Sequence, residues 1–462
     1  MIRKGKIKIM LIMPDGHIHK IKIGSFSRSM REAPLTLTTL AALIPKGINV
    51  ELKLVDENIE SIPLDYPADL VGISVLTGTA PRAYALADHF RKRNISVVLG
   101  GVHVSLMPEE ASKHADVIFV GYAERTWPKF LNDYLEQKHD VIYKENGPEN
   151  EVFKELPIPF RGLQRSLRYN IPNTVSATRG CMSDCDFCSI PTLSSKYSKR
   201  AISAIVDDVK SIKSRYFAFN DVSIADDVEY AKELFSAIAP LKKRWGGLVT
   251  IKAAKDTELI KLMKKSGCSY LLIGFESVNQ SALREINKNF NRNDEYQNLI
   301  GLLHSFDISI QGCFIFGFDD DDKSVFESTV QRVNDLKIDI PRYAIMTPYP
   351  RTKLHKRLTQ ENRIISHNWA DYDTQHVVFQ PAKMSPEELY QGFCRAYRKT
   401  FTRSSILKRA FMSPHPVISL LGNVVYRFYA NRLQPEQEII SVPEKLSSDV
   451  LCFPSHEEGR NP

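Results

Sequence analysis

Residues 178–191 read TRGCMSDCDFCSIP, with Cys181, Cys185 and Cys188 spaced as CxxxCxxC. Three of the seven cysteines of the chain thus fall within eight residues. Structural zinc sites and closed iron–sulfur clusters use four ligands, one more than this stretch offers. Three thiolates can instead hold three irons of a four-iron cluster and leave the fourth iron open to a substrate. The alternatives are cysteines adjacent by chance, or a zinc site completed by a distant histidine; the sequence on either side favours the cluster.

Downstream, short apolar runs alternate with helical segments. TVSATRG, YFAFND, LVTIKAA, YLLIGFES, ISIQGCFIFGF and RYAIMTP read as buried strands, with helices such as DDVEYAKELFSAIAPL and DTELIKLMKKSG between them. Six βα units are too few to close an eight-stranded barrel, so an open (β/α)6 barrel is expected, with its chemistry at the C-terminal strand ends. The cysteines sit on the loop after the first of those strands.

Upstream, KIKIMLIMP, VELKLVD, DLVGISVL, SVVLGG and ADVIFVG predict five parallel strands, with helices near residues 34–45, 80–93 and 123–135. This is a doubly wound, Rossmann-like α/β domain whose ligand belongs at the carboxyl ends of its strands. From residue 136 the chain turns polar and proline-rich (KENGPENEVFKELPIPFRG), as a linker does. Beyond residue 365 the alternation stops. SPEELYQGFCRAYRKTF predicts a helix with Ser385 as N-cap, Pro386 at the first helical position and Glu388 closing a capping box, and fraying is expected after about residue 440. The expected division is 1–136, a linker at 137–172, the barrel at 173–365 and a helical extension at 366–462.

With 43% hydrophobic and 25% charged residues the chain is globular rather than disordered. A net charge of +8 spread over 462 residues marks no nucleic-acid surface. The basic start and short apolar run of MIRKGKIKIMLIMP are followed by PDGHIHK rather than a cleavage site, and no stretch is long and apolar enough to span a membrane. A cytoplasmic protein is expected, where thiols stay reduced and clustered cysteines point to metal. Cys268, Cys313, Cys394 and Cys452 are isolated and receive no role.

Phe187, directly before the last clustered cysteine, completes a motif that resembles the CxxxCxΦC signature of the radical S-adenosylmethionine superfamily. The resemblance covers residues 171–365. It implies a [4Fe-4S] cluster on Cys181, Cys185 and Cys188, with its open iron chelated by the amino and carboxylate groups of S-adenosylmethionine. The reduced cluster then cleaves that molecule to methionine and a 5′-deoxyadenosyl radical, and Phe187 packs by the adenine. It also implies adenosylmethionine contacts at Asp221 (FND), at Glu276 and Ser277 (GFES), and at Gly312 and Gly317 (GCFIFGF).

The first domain resembles cobalamin-binding domains. Ser74 and Leu76 of the SxL pattern, with Gly100 and Gly101, match contacts to the nucleotide tail, and Gly121 and Glu124 match a GxxE turn common in cobalamin-dependent radical enzymes. The full DxHxxG signature is absent, because DGHIHK keeps Asp15 and His17 but has Lys20 where glycine is expected. His17 is a candidate axial cobalt ligand on this resemblance, and His103 a second.

A radical barrel beside a methylcobalamin domain implies C-methylation of an unactivated carbon. The substrate radical takes a methyl radical from cobalt, and a second S-adenosylmethionine remethylates the reduced cobalt. The tail, TPYPRTKLHKRL and then HVVFQPAKMSPEELYQGFCRAYRKTF, resembles that of the group containing the hopanoid methylases, so a lipid or other specialised metabolite is the implied substrate, with a low-potential donor such as flavodoxin or ferredoxin. Two alternatives stand beside this reading: a cobalamin-binding radical enzyme that closes or rearranges a ring, and a non-catalytic cobalamin or redox sensor.

Overall fold

The structure is a computed structural model that describes residues 6–16, 20–23, 26–145, 153–154, 156–193, 197–288 and 290–433. Its N-terminal sheet contains β1 (Ile7–Met13), β2 (Val50–Asp56), β3 (Leu70–Ser74), β4 (Ser96–Gly100), β5 (Val117–Val120) and β6 (Ile142–Lys144), in the order β2-β1-β3-β4-β5-β6. All pairs are parallel. Ile9, Met10, Leu11 and Ile12 are at most 1% exposed, which explains the unbroken apolar run of β1: a parallel strand is covered by helices on both faces. The strand order reverses between β1 and β3, which opens a crevice beyond their carboxyl ends.

Two pieces of this region differ from the sequence reading. β6 lies in the segment expected to be linker, where Tyr143 alone is buried while Val141 and Ile142 are exposed, so no apolar period marks the strand. Lys20–Ile23 and Phe26–Glu32 form a hairpin, and its second strand pairs in parallel with Tyr169–Ile171. The segment after β1 is thereby sewn to the segment that enters the second domain.

The second sheet runs in sequential order: β7 (Thr174–Val175), β8 (Tyr216–Phe219), β9 (Arg244–Val249), β10 (Cys268–Glu276), β11 (Ser309–Phe316) and β12 (Ile340–Ile345). Every pair is parallel, and β7 and β12 are the open edges. β9 begins earlier than LVTIKAA suggests. Trp245, 1% exposed, anchors its start, while Gly246 and Gly247 interrupt the apolar pattern because a Cβ on Gly246 would stand 3.0 Å from the Tyr270 carbonyl oxygen.

Helices cover the outer face and start on aspartate caps: Asp227 accepts the Tyr230 N–H at the head of Val228–Ile238, and Asp256 accepts the Leu259 N–H before Thr257–Lys265. The capping box expected at Ser385 is present, with Ser385 N–H to Glu388 Oε2 at 2.9 Å and Glu388 N–H to Ser385 Oγ at 3.2 Å. Helix Pro386–Thr400 lies over β12, where the Tyr397 hydroxyl accepts the Tyr343 N–H and donates to the Tyr343 carbonyl. An edge strand that would otherwise expose pairing groups is closed by a side chain. Helices Arg403–Met412 and Pro416–Arg432 follow. No helix among the described residues is long and apolar enough to cross a membrane.

Gly392 lets helix Pro386–Thr400 approach Val325–Asp335, since a Cβ there would meet the Phe326 ring at 2.1 Å. Gly392→Ala is expected to cost about 1–3 kcal/mol through overpacking, read as a lower midpoint in urea unfolding followed by circular dichroism.

Candidate active site at the domain junction

The cysteine loop leaves β7 and is tied down before its first thiol. Asp221, at the end of β8, accepts hydrogen bonds from the Ala177 N–H at 2.9 Å, the Thr178 hydroxyl at 2.8 Å and the Thr178 N–H. Burial drives its carboxyl up to about 7 against the pull of these donors. One residue on, the Arg179 guanidinium is 2.5 Å from Glu124 of the first domain, 3.8 Å from the centre of the Tyr122 ring and 4.6 Å from that of Phe153. Further ties follow along the loop. Met182 N–H meets Asp226 at 2.8 Å, Asn287 donates to the Asp184 carbonyl at 3.1 Å, Lys353 pairs with Asp184 at 2.5 Å, and Leu354 N–H reaches the Asp186 carbonyl at 3.0 Å.

The three thiols are thus carried by a loop fixed at both ends. Burial pushes Cys181 and Cys185 up to about 11 and moves Cys188 the same way, so a bound metal is what would hold them as thiolates. Phe187 is half-buried against the main core. Among the described residues no three His, Cys, Asp or Glu side chains close around a single-ion position. The donor set is three thiols of one loop, which suits a cluster with an open iron.

Glu276 ends β10 at φ +65°, a left-handed conformation unusual for a residue with a side chain. Its carboxylate pairs with the Lys288 ammonium in a largely buried contact. Burial pulls Lys288 down, but the Glu276 carboxylate and the neighbouring Cys185 thiol hold it above the ordinary range. Lys288 carried no signal in the sequence; in NKNF it reads as a surface lysine. The Ser277 hydroxyl accepts the Asn279 N–H at 3.0 Å. Gly312 and Gly317 have packing roles: a Cβ on Gly312 would meet Ile338 at 3.0 Å, and one on Gly317, at φ +105°, would meet Leu389 and Phe379 at 3.1 Å.

The first domain holds a cavity of about 320 Å³ between its sheet and the helices Thr36–Ala42 and Thr126–Leu135. Leu11, Gly72, Val98, Phe119 and Trp127 give it an apolar depth, and Ser74, Gly100, Gly101, Gly121 and Glu124 stand around it. Gly101, at φ +107°, lies so near Val75 that a Cβ would fall 2.7 Å from the carbonyl oxygen. Leu76 stands outside the lining and is 40% exposed. Ser176, Arg179 and Asn220 of the second domain supply the remaining wall. His103 lies outside the cavity lining and is fully buried, with Nδ1 3.4 Å from the Thr77 hydroxyl and Nε2 3.4 Å from Glu110. His17 lies outside the described residues.

Comparison with known proteins agrees with this two-part arrangement. Residues 7–131 match the B12 binding domain, residues 175–333 the radical SAM superfamily, and residues 352–415 a domain of unknown function. The chain is 30% identical over 444 residues to the bacteriochlorophyllide d C-12(1)-methyltransferase of Chlorobaculum tepidum, covering 94% of this chain and 96% of that one. It is 24% identical to the hopanoid C-2 methylase of Rhodopseudomonas palustris over 72% of this chain and 65% of that one. The structure of the radical S-adenosylmethionine methyltransferase TsrM from Kitasatospora setae, with cobalamin and a [4Fe-4S] cluster bound, superposes with a TM-score of 0.62 at 14% identity, over 85% of this chain and 88% of that one. The chain belongs to the cobalamin-dependent radical S-adenosylmethionine enzymes. Its cofactors are a [4Fe-4S] cluster, S-adenosylmethionine and cobalamin, and both the thiol loop and the apolar, glycine-rimmed cavity fit such groups.

Glu124→Gln is expected to lower unfolding stability by about 1–3 kcal/mol, because the Arg179 charge loses its counter-ion; guanidinium unfolding of the two proteins measures the difference. Asp221 keeps a proton in the native chain that the unfolded chain releases above about pH 4. Stability from this group is therefore greatest below pH 4, declines as pH rises through about 7 and then levels. A melting-temperature series from pH 4 to 8 is expected to slope less steeply in Asp221→Asn.

Proposed function

We propose that this enzyme transfers a methyl group to an unactivated carbon. The observation that supports this most directly is the shared wall: Ser176, Arg179 and Asn220, which flank the cysteine loop, also line the cavity of the first domain. A methyl donor seated over that cavity and a radical source on that loop would face one substrate from two sides. When bound, the cofactors supply a 5′-deoxyadenosyl radical that removes hydrogen from carbon and a cobalt-held methyl group that replaces it.

In this reading Cys181, Cys185 and Cys188 hold three irons, and Phe187 packs beside the adenine. Glu276, fixed by Lys288, and Ser277 stand at the strand end that faces the cysteines, where polar groups of adenosylmethionine can be held. Asp221 fixes the loop through one oxygen, which receives three hydrogen bonds, and its other oxygen, buried without a hydrogen-bond partner among the described residues, is left for a polar group of the cofactor. Gly312 and Gly317 shape the sheet behind the site. Ser74, Gly100, Gly101 and Gly121 leave room along the backbone for a corrin nucleotide tail, Leu76 offers an apolar rim, and Glu124 fixes Arg179 between the two cofactors. The relatives act on bacteriochlorophyllide d and on a hopanoid, which supports a large ring system as substrate, lipid or otherwise. A low-potential flavodoxin or ferredoxin is the expected electron donor, in a cytoplasmic setting that keeps the thiols reduced.

Anaerobic reconstitution with iron, sulfide and hydroxocobalamin, then reduction with S-adenosylmethionine, is expected to yield both 5′-deoxyadenosine and S-adenosylhomocysteine by mass spectrometry. Cys185→Ala should lose deoxyadenosine to background. Deoxyadenosine without S-adenosylhomocysteine, in the presence of a substrate that is turned over, would shift the reading to ring formation.

A further inference from the structure

The inner face of the second sheet carries a cation with no hydrogen-bond or ion-pair partner among the described residues. On β12, Tyr343 and Ile345 are 2% and 1% exposed, and the Tyr343 hydroxyl meets the Thr400 hydroxyl at 2.6 Å in the helix layer. Arg342 and Ala344 alternate to the opposite face and are half-buried. Arg342 is in register with Cys313 of β11, whose neighbour Phe314 is 1% exposed and points outward. Arg342 therefore projects toward the space enclosed by the strands. Below it, the Tyr270 hydroxyl bonds Gln311 and the Gln311 amide donates to the Tyr426 hydroxyl at 2.8 Å, which closes a floor with satisfied polar groups.

Arg342 has no hydrogen bond or ion pair with any described residue. Tyr426, Cys313, Tyr397 and Glu32 act on it most strongly, and Tyr270, Tyr349 and Tyr429 also lie within reach of its charge. Arg31, on strand Phe26–Glu32, is exposed, close enough to Arg342 for the two charges to oppose each other, and equally without an ion pair among the described residues. Tyr349, acted on by both arginines and by the Cys188 thiol, places this pair on the side that faces the cysteine loop. Glu32 closes an ion pair with neither guanidinium, and the other carboxylates that act on this neighbourhood, Asp373 on Tyr349 and Glu276 on Cys313, are paired with His376 and Lys288, so the two arginines leave the chamber positive. A half-buried guanidinium lacking a counter-ion is costly, and its planar fork matches a carboxylate or phosphate.

We propose that Arg342, assisted by Arg31, anchors an anionic group of the substrate, a carboxylate in the first instance, within the enclosed space beneath the cysteine loop. This rests on the methyltransferase reading and deepens it: the substrate is an acid held by its charge, with the methylated carbon directed to the cofactor end. The carboxylate of S-adenosylmethionine is the other source of the same chemistry, but in this family it is committed to the open iron.

The test is labelling of the reconstituted holoenzyme with 4-hydroxyphenylglyoxal, which reacts with free guanidinium groups, followed by peptide mass mapping. The protein is labelled alone, with S-adenosylmethionine, and with S-adenosylmethionine plus either a chlorin propionic acid or its methyl ester. Arg342 is expected to label with and without S-adenosylmethionine and to be protected at least tenfold by the acid but not by the ester. Arg342→Lys should retain part of the preference for the acid in a direct binding titration, and Arg342→Gln should lose it. Protection by S-adenosylmethionine alone assigns the anion to that cofactor and overturns the proposal. So does failure of Arg342 to label, or equal labelling with acid and ester. Deoxyadenosine and S-adenosylhomocysteine are measured in the same preparation. If they form while the labelling pattern fails, only this inference falls; if they do not form, the methyltransferase reading falls with it.

Discussion

The Arg179 guanidinium, held between the Tyr122 and Phe153 rings and paired with Glu124, is the contact on which the rest of the arrangement depends. It sits two residues before Cys181, so the loop that bears the thiols starts from a point fixed to the first domain. A planar cation suits this position because it stacks and pairs at once, which an ammonium cannot do. This side chain ties two ligand sites from separate sheets to one wall, in addition to the strand pairing at Tyr169–Ile171.

Strand geometry does the remaining work. Both sheets are parallel, so all strand ends of one sheet point the same way, and each domain offers its ligand site at one rim. The rims meet because the hairpin after β1 pairs with Tyr169–Ile171, immediately ahead of β7. Residues that look like cofactor contacts by their place in a motif then divide by what they touch. One Asp221 oxygen ties down the loop while the other has no hydrogen-bond partner among the described residues, Gly312 and Gly317 pack closely against side chains, and Glu276 is held in a strained backbone conformation with its carboxylate on Lys288. Such strain persists only where neighbouring structure enforces it, and it gathers at functional sites.

Much of this was legible in the residue order. The period of the apolar runs named ten of the twelve parallel strands closely, and the capping box at Ser385 marked a helix start to the residue. β6 escaped because three residues with one buried side chain carry no period, and the start of β9 because its glycines mimic a turn. Long-range partners were out of reach for a different reason. Lys288 and Glu276 lie twelve residues apart with a helix between them, and Arg31 and Arg342 more than three hundred, so nothing local in the sequence distinguishes these side chains from solvated ones. The cysteine spacing was informative because its ligands are consecutive in the chain.

The cavity of the first domain has one further consequence, for anyone who would divide the molecule. Its fourth wall is Ser176, Arg179 and Asn220, and its sheet gains a last strand at Ile142–Lys144, well past the end of its last helix at Leu135. A fragment cut where the α/β pattern ends would be a bowl with a side missing, and a barrel transplanted onto a foreign corrin-binding module would lose the anchor of its own cysteine loop. The two halves are separate in their folding patterns and share one wall, so exchange of modules among such enzymes has to carry the seam, Glu124 with Arg179, along with either half.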